Sequence, residues 1–170
     1  MASLIDTLID VLDKENTEYE TLLELSMEKT GVIVEGNVTA LNEMVVREQQ
    51  VVERITALEK KRMETTNDIA MVLNRKPDTL TLEHLAELLA GQETESTALR
   101  RIHDKLKTTL GNMVRVNESN KQLLQESIDM ADFEINIMQS MRQAPATANY
   151  SDSGYTGECF GASGSFDAKQ

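Results

Sequence analysis

The 170-residue sequence has one cysteine, no tryptophan and an aromatic content of only 4%, and its basic residues are outnumbered by acidic ones, 17 against 29. Each shortage closes off a class of protein. Cys159 alone cannot form an internal disulfide, and it supplies too few thiolates for a cysteine-based metal cluster. Its neighbours Gly157, Phe160 and Gly161 mark it as an incidental thiol in a flexible segment rather than a nucleophile. Few aromatics and no sustained β-branched alternation argue against a sandwich or barrel. The formal net charge of −12 repels phosphate backbones, so nucleic-acid binding through bulk charge is disfavoured and basic partner surfaces are favoured. No apolar run approaches the roughly 20 residues that span a bilayer, and Met1 to Leu12 does not resemble a signal peptide, because it carries Asp6 and Asp10. These readings lead us to expect a cytoplasmic chain without stable membrane insertion.

What is abundant is Leu, Ile, Val and Met at helical spacing, within an apolar content of 40%. An all-α fold follows, with four helices at about 3–35, 37–75, 81–90 and 92–142. In the first, Ser3 with Asp6 forms a capping-box pattern, and Leu4, Leu8, Val11, Leu12, Tyr19, Leu22, Leu23 and Ser26 share a face. Asp13, Glu15, Glu18, Glu20, Glu24 and Glu28 fill the opposite one. Gly36-Asn37 reads as a stop glycine followed by a capping asparagine, the turn of an antiparallel hairpin. Asn37-Val38-Thr39 also matches a glycosylation acceptor, but without a secretory signal the cap is the better reading.

The second helix places Val38, Leu41, Val45, Val52, Ile55, Leu58, Ile69, Val72 and Leu73 on one stripe and ends before Lys76-Pro77. Residues 1–36 hold two basic and nine acidic side chains, and residues 37–76 hold seven and six, so the two helices are charge-complementary. Thr81, with Glu83 in the first turn, caps a short third helix whose Leu82, Leu85, Leu88 and Leu89 plug one end of the bundle. The fourth helix is the longest periodic stretch, about 75 Å if unbroken, with Gly111 the expected place for a bend. The helical domain is therefore 1–143, followed by a flexible, acidic, Gly- and Ser-containing tail over 144–170 that is disordered when free. Four of the six Phe and Tyr residues lie in that tail, at Tyr150, Tyr155, Phe160 and Phe166, spaced like docking anchors.

The fourth helix carries more apolar surface than one seam can use. On a helical wheel with Asn120 at zero, Met138, Ala131, Leu124, Ile135 and Ile128 fall between about 0° and 80°. Leu123, Met141, Met130, Ile137 and Phe133 fall between about 300° and 220°, so the apolar arc covers roughly 220° where a single packing face needs little more than about 100°. The surplus calls for a second contact: a fuller bundle, a second copy of the chain or a client. Met130, Met138 and Met141 suit an adaptable contact, since unbranched thioethers repack around different surfaces. Asn117 and Asn120 lie near the same seam and would fix register if buried.

Two stretches resemble a known family. The run from Gly36-Asn37 through Leu41, Val45, Glu48, Val52, Ile55, Leu58, Glu59 and Arg62 is similar to the second helix of FlgN-type flagellar export chaperones. Asn117-Glu-Ser-Asn120-Lys-Gln-Leu123-Leu124-Gln-Glu-Ser127-Ile128, followed by Tyr150-Ser-Asp-Ser-Gly154, resembles that family's C-terminal helix and tail. The resemblance implies a cytosolic chaperone with no catalytic site and no cofactor. Its clients would be the C-terminal regions of flagellar hook-associated proteins, kept from premature assembly and handed to the export apparatus. On that basis Asn117, Asn120, Leu123, Leu124, Ser127, Ile128, Met130, Ala131, Ile135, Ile137, Met138 and Met141 form the partner surface, and Tyr150 and Gly154 are candidates for export-gate docking.

Two other readings are weighed against it. A self-associating structural coiled coil would use the same stripe between identical chains. An enzyme has little to work with, since His84 and His103 are the only histidines and no glycine-rich phosphate loop or nucleophile-base pair is present. Ile102 to Gly111 is weakly similar to the helix of histidine phosphotransfer domains, but Lys107 stands where a small residue would let a response regulator approach.

Overall fold

The computed structural model describes residues 2–77, 80–89 and 91–143, and among these it contains four helices and no strand. They are α1 (Ala2–Val34), α2 (Val38–Val72), α3 (Leu82–Leu88) and α4 (Glu93–Gln143). The chain divides into two units, Met1–Phe133 and Glu134–Gln170. The first holds α1, α2, α3 and α4 as far as Phe133; of the second, the described part is the helical stretch 134–143.

Both turns around α2 are set by their sequence. At the end of α1, Gly36 takes φ +66°, the left-handed region that glycine enters without steric cost. The Gly36 amide donates to the Ile33 carbonyl (3.0 Å) and the Asn37 amide to Val32 (3.2 Å), the paired bonds of a Schellman stop. Asn37 then caps α2, its Oδ1 accepting from the Ala40 amide at 3.0 Å. The same stop recurs at the far end of α2 with Asn74 at φ 53°, where the Arg75 amide donates to Ala70 and the Asn74 amide to Met71. Thr81 caps α3 by accepting from the His84 amide at 3.2 Å, as its position predicts. Ser3, by contrast, lies inside α1, after its first residue.

The α1/α2 hairpin is antiparallel and laced by charge, as the unequal composition of its halves predicts. Lys29 meets Glu48 at 2.7 Å, Arg54 meets Glu18 at 2.9 Å and Arg47 meets Glu28 at 3.4 Å. Tyr19 donates to Glu59 at 3.0 Å. Burial pushes the phenol up to about 12, and this bond adds to it, because ionisation would place a second negative charge beside the carboxylate. Beneath the lattice, Leu25, Met44, Val51 and Ile55 form a small core near the hairpin turn.

The main core lies toward the other end, where Ile5, Leu8 and Leu12 of α1, Ile69 and Ala70 of α2, Leu85 and Ala86 of α3, and Leu99, Ile102 and Leu106 of α4 close on one another. α3 thus closes this end of the bundle, with Leu88 left outward. It is held against α4 by Ser96, whose hydroxyl donates to the Ala86 carbonyl at 2.7 Å.

Three features depart from the sequence reading. On α2, Val38, Val45, Val52 and Val72 are exposed, while Met44 and Val51 face α1. Between 44 and 52 the packed stripe runs one residue earlier than expected, because adjacent apolar residues at 44–46 and 51–52 satisfy either phase, whereas Ile55 and Ile69 are buried as expected. Glu15, read as a solvent-facing acid, is only 3% exposed. Helix α4 is assigned without interruption through Gly111, whose side of the helix is open solvent.

Candidate partner-binding surface

Polar contacts from three side chains of α4 set it alongside α1 and fix their register. Thr109 donates to Asn16 Oδ1 at 3.1 Å, and Lys105 pairs with Glu20 at 3.3 Å. Asn120 Nδ2 donates to the Ser26 carbonyl at 2.7 Å while its Oδ1 accepts from the Thr30 hydroxyl at 2.6 Å. From Asn16–Thr109 to Ser26–Asn120 the residue numbers of both helices rise together, at separations of 93 and 94, so the two helices run parallel. Asn16 and Asn120 are fully or almost fully buried, at 0% and 2% exposure. Asn120, which finds both a donor and an acceptor, permits one register and penalises the rest, since a slip would leave its polar atoms unpaired.

That geometry corrects the expected partner surface at one position. Asn120 faces α1, not a partner, and its hydrogen-bonding capacity is used inside the chain. Asn117 is exposed one turn away. Leu123 and Leu124 are half-buried and mark the edge of the packed region. Given the Thr30–Asn120 pairing, α1 reaches its last residue, Val34, about level with Leu124. A shallow depression of about 470 Å³ opens at this step, bordered by Lys29, Asn120, Leu124 and Ile128.

Beyond the step every described side chain of α4 is exposed. Up to the end of the first unit these include Ser127, Ile128 (54%), Met130 (64%), Ala131 and Phe133 (64%). Within the second unit Ile135, Ile137, Met138 and Met141 are likewise exposed, Met141 at 73%. Gln122 and Glu126, then Gln125 and Asp129, pair along the helix at i and i+4, supporting these exposed turns locally. Phe133, which lies on the apolar arc of the wheel, is among the most exposed large side chains. Tyr150 and Gly154 lie outside the described residues.

A second internal cluster escaped the sequence reading. Glu15 Oε2 stands 3.1 Å from Arg62 Nε, at an angle that makes an ion pair without a hydrogen bond, and Asn16 Nδ2 has no hydrogen-bond partner among the described residues. Burial raises the Glu15 pKa from its ordinary value; Arg62 opposes this, and the nearby Glu59 adds to it. Its position at the edge of the α1 stripe, three residues after Leu12, was the available signal.

The histidines do not converge on a chemical site. His103 sits 3.2 Å from Asp104 and 3.9 Å from Glu83; His84 lies near Arg75 and Glu87. Among the described residues no group of three His, Cys, Asp or Glu side chains is placed to hold a metal ion. No helix among them is long and apolar enough to cross a membrane.

Along α4 a buried polar register is followed by exposed apolar side chains. The model of the FlgN protein family matches residues 1–158. The chain belongs to the FlgN family. This is a family of flagellar export chaperones, and the role carries over at that level. A protein of Bacillus subtilis (strain 168) named "Uncharacterized protein YvyG" is 26% identical over 131 residues, covering 77% of this chain and 78% of that protein. No solved structure matches the chain.

Proposed function

We propose that the protein is a cytoplasmic type III export chaperone whose clients are the C-terminal regions of flagellar hook-associated proteins. The observation that carries this reading is the exposure of Ile128, Met130 and Phe133 in the first unit and of Ile135, Ile137, Met138 and Met141 in the second. A client's amphipathic helix laid on these side chains removes apolar surface from water on both partners, at about 25 cal/mol per Å² buried. Covering the client in this way also keeps its assembly surface from polymerising early. Leu123, Leu124 and Ala131 border the same surface, and Asn117 and Ser127 supply polar groups at its rim. Tyr150 and Gly154 are the positions we assign to docking on the export apparatus, on family resemblance.

The test is co-purification with a hook-associated C-terminal fragment. Ile128→Asp and Ile137→Asp should each abolish it while the circular dichroism spectrum stays helical; unchanged binding by both variants would remove this surface from the client role.

A second reading, self-association, is favoured by one observation: Val38, Val45 and Val52 of α2 repeat every seven residues and face solvent, with Val46 exposed beside them. Light scattering with and without client separates the two, since a dimer indifferent to client would favour the structural reading.

A further inference from the structure

A groove separate from the exposed end of α4 opens between the N-terminal turns of α1 and α4, with a volume of about 580 Å³. Its walls carry opposite charge. Asp6, Asp10 and Asp13 line the α1 side at i, i+4 and i+7, and Arg101 and Lys105 line the α4 side. Ile9 and Ile102 form the apolar floor and continue outward from the main core.

These walls do not close on each other. Asp10 pairs with Lys14 on its own helix and Lys105 pairs with Glu20. Among the described residues Asp6, Asp13 and Arg101 have no ion pair, although they border one groove. Opposite charges kept apart across an apolar floor leave room for an inserted helix that meets each wall with its complement.

We propose that this groove seats one amphipathic helix of a partner protein, with Leu- or Ile-sized side chains on Ile9 and Ile102 and Lys or Arg along the edge facing Asp6 and Asp13. Charge selects this occupant over the other candidates. The exposed part of α4 from a second copy would bring Glu126, Asp129 and Asp132 against the aspartate wall. A nucleic acid would meet the same repulsion. The site lies apart from the client surface and does not depend on that assignment.

The probe is a synthetic helical peptide with a leucine stripe, lysines along one edge and glutamates along the other, titrated into the full chain labelled at isoleucine methyls. The Ile9 and Ile102 resonances shift on binding. Two double variants with the same change in net charge separate local recognition from bulk attraction: Asp6→Lys with Asp13→Lys weakens binding by about tenfold or more, and Glu43→Lys with Glu64→Lys on α2 leaves it within about twofold. Circular dichroism verifies that both remain helical. Shifts confined to Ile128, Ile135 and Ile137 would overturn the proposal by placing the peptide on the client surface instead. Equal weakening by the two double variants would overturn it by reducing the effect to net charge.

Discussion

Within α4, the stretch from Glu93 to Asn120 and the stretch from Gln125 to Phe133 share a periodicity and differ in what surrounds them. The first sets Leu99, Ile102 and Leu106 into the core and uses Thr109 and Asn120 to lock register on α1. The second exposes Ile128, Met130 and Phe133. Polar groups are thus buried where the chain packs on itself, and apolar groups are exposed where it does not. The buried amides give up some hydrophobic stabilisation for a unique alignment, and that alignment carries α4 past the end of α1 with its apolar arc uncovered.

The sharpest way to break this comparison is to truncate one apolar side chain in each stretch. Leu99→Ala, at a fully buried site, should cost about 2–5 kcal/mol in denaturant unfolding. Met130→Ala, at 64% exposure in the second stretch, should stay within about 0.5 kcal/mol. Similar losses at both sites would mean that the exposed apolar positions are packed in solution.

How much of this was legible in the sequence varies by element. The four helices, the Gly36-Asn37 turn, the Thr81 cap and the charge lattice of the hairpin were all readable, because each depends on residues a few positions apart or on bulk charge. The phase of α2 was not, since Met44-Val45-Val46 and Val51-Val52 fit two stripes equally well and only the partner helix chooses between them. Asn120 showed the same limit: periodicity placed it at the edge of the apolar arc, but Ser26 and Thr30, some ninety residues away, determine that it turns inward. The wheel gives the apolar arc its angle but could not say where α1 stops covering it.

Asn120 supplies the next test. Asn120→Ala should lower stability by about 1–3 kcal/mol, because the Thr30 hydroxyl and Ser26 carbonyl lose their buried partner. Client affinity should change little, since the exposed arc is untouched; a large loss of affinity with no loss of stability would return Asn120 to the partner surface.

The smallest expected effect concerns Glu15. Its folded pKa is raised, so the folded state holds the proton more tightly than the unfolded chain. Its contribution therefore favours folding below the ordinary carboxylate pKa and is lost as pH rises through the raised value. Glu15→Gln should remove that slope, and its stability relative to the parent chain should improve as pH is raised from about 4 to 7. A difference that does not vary with pH would contradict the raised pKa.

Hydrogen exchange across α4, with and without a hook-associated C-terminal fragment, tests the central claim most directly. Amides from Gln125 to Arg142 should exchange fast in the free chain and become strongly protected in the complex, while the core turns around Leu99 and Ile102 change little. Protection that leaves 125–142 untouched would contradict the assignment of the exposed arc as the client surface.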